Sequence, residues 1–430
     1  MQSPHPVKFL PGFFSRCCAS GLVLAVPAFG ADTDVEELVK QNRLLVEQVQ
    51  AQQKQIDELR SRLDHIDNPS AAPRLPSAET DRSVRISGEA SVGYFDGQKN
   101  SAVPVSEFRV DDARIFVEAS VWKNVFFYGA LEITTREAND EYFHVGELYV
   151  DVENLWRGDS QHSLSLRAGR MNLPFGEEYL VRNAIDNPLV SHSLADIWGI
   201  DEGVQVYGTL GPVRYNLAVQ NGSHPAREDF NSDKSITARL AYDPTRQLSL
   251  SASLMRTGDI EVTGDYSSEA WFSDAFFRAI GVPGAATTFD VELAELDAAY
   301  RWKTGHLKAA YGWVRYEDNN PTVDSSRDMT YYSLEGMQYL TDHLFAAARY
   351  SAIDAPGGYP IAGQGSAGKY FYNPYAPLTK DLQRLSLGLG YRFADPVIWK
   401  IEYSWEDGHL ANGAKRADED MFSSLLGVRF

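Results

Sequence analysis

From residue 84 onward the chain repeats one motif, a short run of alternating apolar and polar residues followed by a connection. Val84, Ile86, Ala90, Val92 and Tyr94 alternate with Arg85, Ser87, Glu89 and Ser91. Ile115, Val117, Ala119 and Val121 alternate with Arg114, Phe116, Glu118 and Ser120. A period of two places the apolar set on one face of an extended strand and the polar set on the other. The rhythm returns at 125–133, 148–152, 164–168, 204–208, 213–219, 236–242 and 248–254, and again at 296–302, 307–313, 331–340, 344–350, 385–393 and 397–403. It is weakest at 331–340, where it breaks near Gly336. In the last run, 421–430, Phe422, Leu426, Val428 and Phe430 share one side, and Met421, Ser423, Leu425, Gly427 and Arg429 share the other.

The connections alternate in length. Those at 123–124, 211–212, 243–247, 303–305, 341–342 and 394–396 are short. Those at 97–106, 172–200, 220–234, 257–290, 317–328, 352–382 and 406–419 are long. A soluble sandwich has no need of that alternation. A membrane barrel does, with short turns on the periplasmic side and long loops outside. The pattern predicts an all-β transmembrane barrel of about sixteen antiparallel strands over 84–430. The run 421–430 is its expected closing strand, with the aromatic end as an assembly address; an edge strand of a soluble sheet is the plainer alternative. An even strand count puts both barrel ends in the periplasm.

Composition agrees. Mean hydropathy is −0.33, and 22 Tyr and 21 Phe accompany 33 Gly. Aromatic girdles and tight turns use such residues, and alternating strands average out in hydropathy. Trp122, Tyr128, Tyr149, Trp156, Tyr207, Tyr215, Trp302, Trp313, Trp399 and Trp405 lie near strand ends, where girdles are expected. The net charge of −19 argues against nucleic acid as a partner.

Residues 1–30 have the form of a secretory signal: Lys8 and Arg16, a short apolar run over 19–28, and small residues around 28–30. Arg16 before Cys17 fits a lipidation site poorly. Cys17 and Cys18 are the only cysteines, so the mature chain is expected to have none. Over 31–66, Val35, Leu38, Asn42, Leu45, Val49, Gln52, Ile56, Leu59, Leu63 and Ile66 follow heptad a/d spacing. An α-helical coiled coil between chains is predicted, placed in the periplasm. A single amphipathic helix is the alternative, and the heptads do not choose dimer or trimer. Residues 67–83 form a Pro/Ser/Ala linker.

On the polar face expected to line the pore stand Arg114, Arg167, Arg214, Arg239, Lys308, Arg349, Arg384, Arg392, Lys400 and Arg429. The same face is expected to carry Glu89, Glu118, Glu132, Glu147, Asp151, Glu153, Glu202, Glu402 and Glu406. The early strands are mainly acidic and the later ones mainly basic, which would set a transverse field favouring anions. Alternatively, each cation pairs with a carboxylate on a neighbouring strand. The connection 172–200, with Glu177, Glu178, Arg182 and Asp186, is expected either to fold inward as a constriction or to cap the rim.

Four segments, 169–176 (GRMNLPFG), 201–208 (DEGVQVYG), 215–222 (YNLAVQNG) and 238–244 (ARLAYDP), resemble the phosphate-selective porin O/P family in order and spacing. The resemblance extends over most of 84–430. It implies a trimeric sixteen-stranded outer-membrane barrel, sometimes with an amino-terminal coiled coil, passing phosphate or polyphosphate past lumenal Arg and Lys. The chain departs from it in its acidity and in lacking a dense run of constriction arginines.

No catalytic residue, cofactor or metal is expected. The serine block at 156–160 falls in a turn between strands, that at 191–196 is one loop without the nucleophile-elbow pattern, and the nine His show no metal-ligand spacing. The predicted partners are outer-membrane lipid, two further copies of the chain, small anionic solutes, and peptidoglycan through the coiled coil. A structural tether with an unselective pore is the competing function.

Overall fold

Alternate side chains of each strand meet different surroundings. In Leu378–Ala394, Leu385, Leu387, Leu389 and Tyr391 are exposed, whereas Arg384 and Ser386 between them are buried. An outward apolar face and an inward polar one are what a sheet with lipid outside and water inside requires.

The computed structural model describes residues 83–430 apart from 135–143, 223–228, 262–285, 364–376 and the single positions 100, 102, 104, 160, 195, 198, 230 and 362. The signal, coiled-coil and linker segments lie outside the described residues. The strands are β1 (Val84–Gly97), β2 (Glu107–Trp122), β3 (Val125–Thr134), β4 (His144–Asp159), β5 (His162–Asn172), β6 (Ile200–Leu210), β7 (Val213–Gln220), β8 (Ser235–Tyr242) and β9 (Leu248–Arg256). They continue with β10 (Ile260–Glu261), β11 (Thr288–Trp302), β12 (Gly305–Asp318), β13 (Arg327–Tyr339), β14 (Leu344–Pro360), β15 (Leu378–Ala394), β16 (Val397–Leu410) and β17 (Met421–Arg429).

Neighbours in sequence pair antiparallel, and β1 pairs with β17 from Glu89↔Arg429 to Gly97↔Met421, so the sheet closes. The two-residue β10 continues the ladder of β9 on β11: Arg256 faces Glu292, and Ile260 faces Phe289. Between them the chain bulges at Gly258, whose φ is +76°. The barrel thus has sixteen full strands, the number expected from the pattern. The weakly patterned 331–340 belongs to β13, with Gly336 paired to Leu307 and Ala348.

Turns and loops alternate. Two-residue turns join β2 to β3 and β6 to β7, and Asn124 (φ 57°) and Gly211 (φ 62°) supply the left-handed residues that such hairpins use. The longest described connection at the opposite end runs from β5 to β6.

Two features depart from expectation. Tyr128, Tyr149 and Tyr207 are not girdle residues; they face inward. Tyr128 and Tyr149 stack with ring centroids 4.9 Å apart, and the Tyr207 hydroxyl donates to Asp151 at 2.6 Å. Trp122, Trp156, Trp302, Trp399 and Trp405 are exposed on the outer surface. Second, the inner wall near the long-loop ends of β9–β15 is apolar. Met255, Phe289, Val291, Leu293, Val314, Tyr316, Met329, Tyr331, Ile353 and Leu382 are buried in one cluster with Leu173, Phe175, Leu194 and Ile197 of the β5–β6 loop. This part of the barrel is filled as a protein core is filled, because a loop enters it and brings apolar side chains of its own.

Candidate functional site

The β5–β6 loop (173–199) folds into the barrel. It turns inward at Gly176, whose φ of +70° suits glycine and whose missing Cβ leaves room for the Glu295 carboxylate. Its own side chains shape it. Asn183 Oδ1 accepts from the amides of Ile185 and Asp186 at 3.0 and 2.9 Å, and Asn187 Oδ1 accepts from Leu189 N at 3.2 Å. Such local acceptors let a loop fold without helix or ladder. Apolar contacts add to this: Val190 and Ala184 pack with Phe95, Met421 and Leu425, and Ile185 packs with Phe345 and Ile398.

The segment 187–192 is clamped by four side chains on three adjacent strands. Lys400 Nζ donates to the carbonyls of Asn187 (2.9 Å) and Leu189 (2.6 Å). The Glu402 carboxylate accepts from Val190 N (2.5 Å), Ser191 N (2.9 Å) and Ser191 Oγ (2.5 Å). Arg349 donates to Ser191 O (2.6 Å) and Asn187 Oδ1 (2.8 Å), and Arg384 donates to His192 O (2.8 Å). Lys400 is 1% and Glu402 2% exposed, so each donor and acceptor there needs its partner.

The four expected constriction residues all take part. Glu177 pairs with Arg239. Glu178 accepts from Ser193 N at 2.7 Å and from Ser193 Oγ. Arg182 pairs with Asp196, and its carbonyl lies 3.0 Å from His192 Nε2. Asp186 binds Arg429 at 2.7 Å and Asn183 at 2.8 Å. Burial opposes ionisation of Asp186, but the Arg429 guanidinium outweighs it and holds this carboxyl below the ordinary carboxylate range.

All ten expected pore cations lie on the inner face, each with a protein partner. Arg114 bridges Glu89 and Asp112, both at 2.8 Å. Arg167 pairs with Asp151 at 2.9 Å and lies 4.0 Å over the Tyr149 ring. Arg214 pairs with Asp243 at 3.1 Å, and Lys308 with Glu335 at 3.3 Å. Arg349 also holds Glu335, and Arg384 also holds Glu406. Arg392 donates to Tyr339 Oη, Asp395 O and Ile185 O at 3.0–3.1 Å. Arg429 reaches Glu89 at 3.3 Å as well as Asp186. Carboxylate pairing, the alternative to a one-signed wall, thus describes eight of the ten: Arg114, Arg167, Arg214, Arg239, Lys308, Arg349, Arg384 and Arg429. Lys400 and Arg392 hold loop carbonyls. Among the expected acidic lining residues, Glu202 is misplaced: with Val204 it faces outward, paired to Arg170 at 2.6 Å.

Glu402 is expected on the inner face but not as a holder of the loop, and Glu335, which holds Arg349, is not singled out in the sequence. Glu335 lies on β13, beside the break at Gly336. Glu402 stands two positions after Lys400 on the same face, a spacing that signals a shared neighbour only once the loop is known to come in.

No protein-family model matches the chain, and no curated protein matches it. Solved structures do match in fold. OmpT, an outer membrane protein of Vibrio cholerae, superposes with a TM-score of 0.53 at 14% identity, covering 84% of this chain and 100% of that one. The outer membrane channel DcaP of Acinetobacter baumannii gives 0.53 at 11%, covering 83% and 100%. An anion-selective porin from Comamonas acidovorans gives 0.51 at 12%, covering 81% and 99%. The chain from Val84 to Phe430 therefore has the sixteen-stranded barrel fold of outer-membrane porins.

Proposed function

We propose that the protein is a porin of a Gram-negative outer membrane, a water-filled channel through which small hydrophilic solutes diffuse passively. The observation that carries this is the clamped loop inside a closed barrel: a wall with polar residues inward, narrowed by one loop held in a fixed place. A barrel whose only role was anchoring would have no use for so many buried charge-assisted bonds directed at one lumenal segment. The resemblance to phosphate-selective porins and the anion-selective neighbour favour anions as solutes. The engagement of all ten lumenal cations favours no such preference. Purified protein added to planar lipid bilayers is expected to produce stepwise conductance increments; bilayers that stay silent would overturn the proposal.

Assembly as a homotrimer belongs to the same proposal. The outer faces of β4–β6 present aliphatic side chains, among them Leu148, Val150, Leu164, Leu166, Val204 and Val206, with Trp156 alone near the short-turn end. The outer faces of β11–β16 instead carry Tyr300, Trp302, Tyr311, Trp313, Tyr332, Tyr350, Tyr391, Trp399, Tyr403 and Trp405. Aromatics mark contact with the lipid interface, so the smooth aliphatic sector suits a neighbouring subunit. A periplasmic coiled coil formed by the heptad segment 31–66, with peptidoglycan as a partner, belongs to the same proposal. Native mass spectrometry of the detergent-extracted protein is expected to show three chains.

A further inference from the structure

The charges of the inner wall are divided between two sides, and the loop's hydrogen bonds and ion pairs to the wall run to one of them. Its bonds to the wall run to Arg239 on β8, Ser253 on β9, Arg349 and Ser351 on β14, Arg384, Ser386 and Arg392 on β15, Lys400 and Glu402 on β16, and Arg429 on β17. That is the basic side. On the opposite side, β1–β5, the inward carboxylates Glu89, Asp112, Glu118, Glu132, Glu147, Asp151 and Glu153 outnumber the inward guanidiniums Arg85, Arg109, Arg114 and Arg167. The loop itself is acidic: Glu177, Glu178, Asp186 and Asp196 against Arg182. It takes the basic side's donors onto its own carbonyls and carboxylates, Glu177 on Arg239 and Asp186 on Arg429, and keeps a net negative charge.

A second observation concerns the inner wall of β1–β8. The hydroxyls of Ser91, Ser235 and Thr237 and the amide oxygens of Gln205 and Gln220 are buried and find no hydrogen-bond partner in the protein. All five point inward, Ser91 from β1 and the other four from β6–β8. The wall of β9–β15 near the long-loop ends is apolar and packed.

We infer that the passage runs between the acidic wall of β1–β5 and the acidic loop, and that the channel therefore prefers small cations over anions. This rests on the channel proposal and adds its sign. No binding site for a cation is involved. The preference comes from the summed field of a negatively charged, low-dielectric passage, which raises the local concentration of the opposite charge. It runs against the anion preference implied by the family resemblance, because the cations that would create that preference either hold the loop or pair with carboxylates of the barrel.

The test uses the full-length protein in planar bilayers under a potassium chloride gradient near 0.1 M, where screening extends over about 10 Å. The reversal potential gives the ratio of potassium to chloride permeability. The expected ratio is about threefold or more in favour of potassium. A ratio of one or below overturns the inference while leaving the channel intact, whereas absence of conductance steps would sink the channel proposal and this inference with it. Glu118→Gln combined with Glu147→Gln should bring the ratio toward one, and an unchanged ratio would show that β1–β5 does not bound the passage. Should that double variant fail to assemble, the wild type in 1 M salt decides instead, since screening over about 3 Å must lower the ratio.

Discussion

Replacing Glu402 by alanine removes the acceptor for two loop amides and one hydroxyl, the contacts to Val190 N, Ser191 N and Ser191 Oγ at 2.5–2.9 Å. Lys400 and Arg349 remain and still hold four carbonyl or amide oxygens of the same segment. Each hydrogen bond to a charged group contributes roughly 1.5–3 kcal/mol, and a buried amide left without a partner costs about 1–3 kcal/mol. Water entering from the passage recovers part of this, so a net loss of about 3–4 kcal/mol in loop anchoring is reasonable. At about 1.4 kcal/mol per factor of ten, states with segment 187–192 displaced become roughly 100- to 1000-fold more populated. Single-channel recordings should then show larger, noisier steps than the wild type, with rapid flicker. Glu402→Gln keeps one acceptor oxygen and should fall between the two. Steps of wild-type size and quietness from a correctly folded Glu402→Ala barrel would refute the idea that this clamp sets the opening.

Other outcomes follow from single sites. Arg167→Ala leaves Asp151, which is 0% exposed, without its guanidinium; a loss on the order of 3–5 kcal/mol should appear as a lower unfolding temperature of the extracted barrel. Glu419, in the 411–420 loop, is pushed up to about 7 by burial and by the neighbouring Glu406, with Arg416 opposing. Because its folded value lies above its unfolded one, it costs stability as pH rises from about 4.5 through 7. Glu419→Gln should therefore raise the unfolding temperature at pH 8 and leave it unchanged near pH 4. Gly169 has a φ of +135°, and a Cβ there would meet the Leu148 carbonyl; Gly169→Ala should reduce the yield of folded barrel on refolding into detergent.

The barrel was legible because one constraint acts on every residue of it. Lipid and water impose alternation locally, so Leu385, Arg384 and Leu387 disclose their faces without reference to anything distant. Turn chemistry is local too, as Asn124 and Gly211 show. The destination of the β5–β6 loop was legible only as one of two options, since its contacts lie more than 150 residues away, Leu194 to Ser351 and Val190 to Glu402. For the same reason the ten cations could be assigned to the inner face but not to their tasks. An arginine facing water and one holding a carbonyl look alike in a strand pattern. Tyr128, Tyr149 and Tyr207 lie near strand ends as girdle residues do, and only their parity turns them inward. Glu202 shares the outward parity of Val204 and Val206 in a regular strand, and its charge alone suggests the inner face.

The seam between β1 and β17 has a kinetic consequence. Every other strand is templated by the one just before it, but Gly88 and Phe430 exchange two backbone bonds, at 2.9 and 3.0 Å, across nearly the whole barrel-forming chain. That handshake can form only after the intervening hairpins are in register. Until then two rows of unpaired amides and carbonyls must be kept out of hydrocarbon, at several kcal/mol per group. Closure should therefore be late and slow, and a chain held before it needs a surrogate edge to lean on.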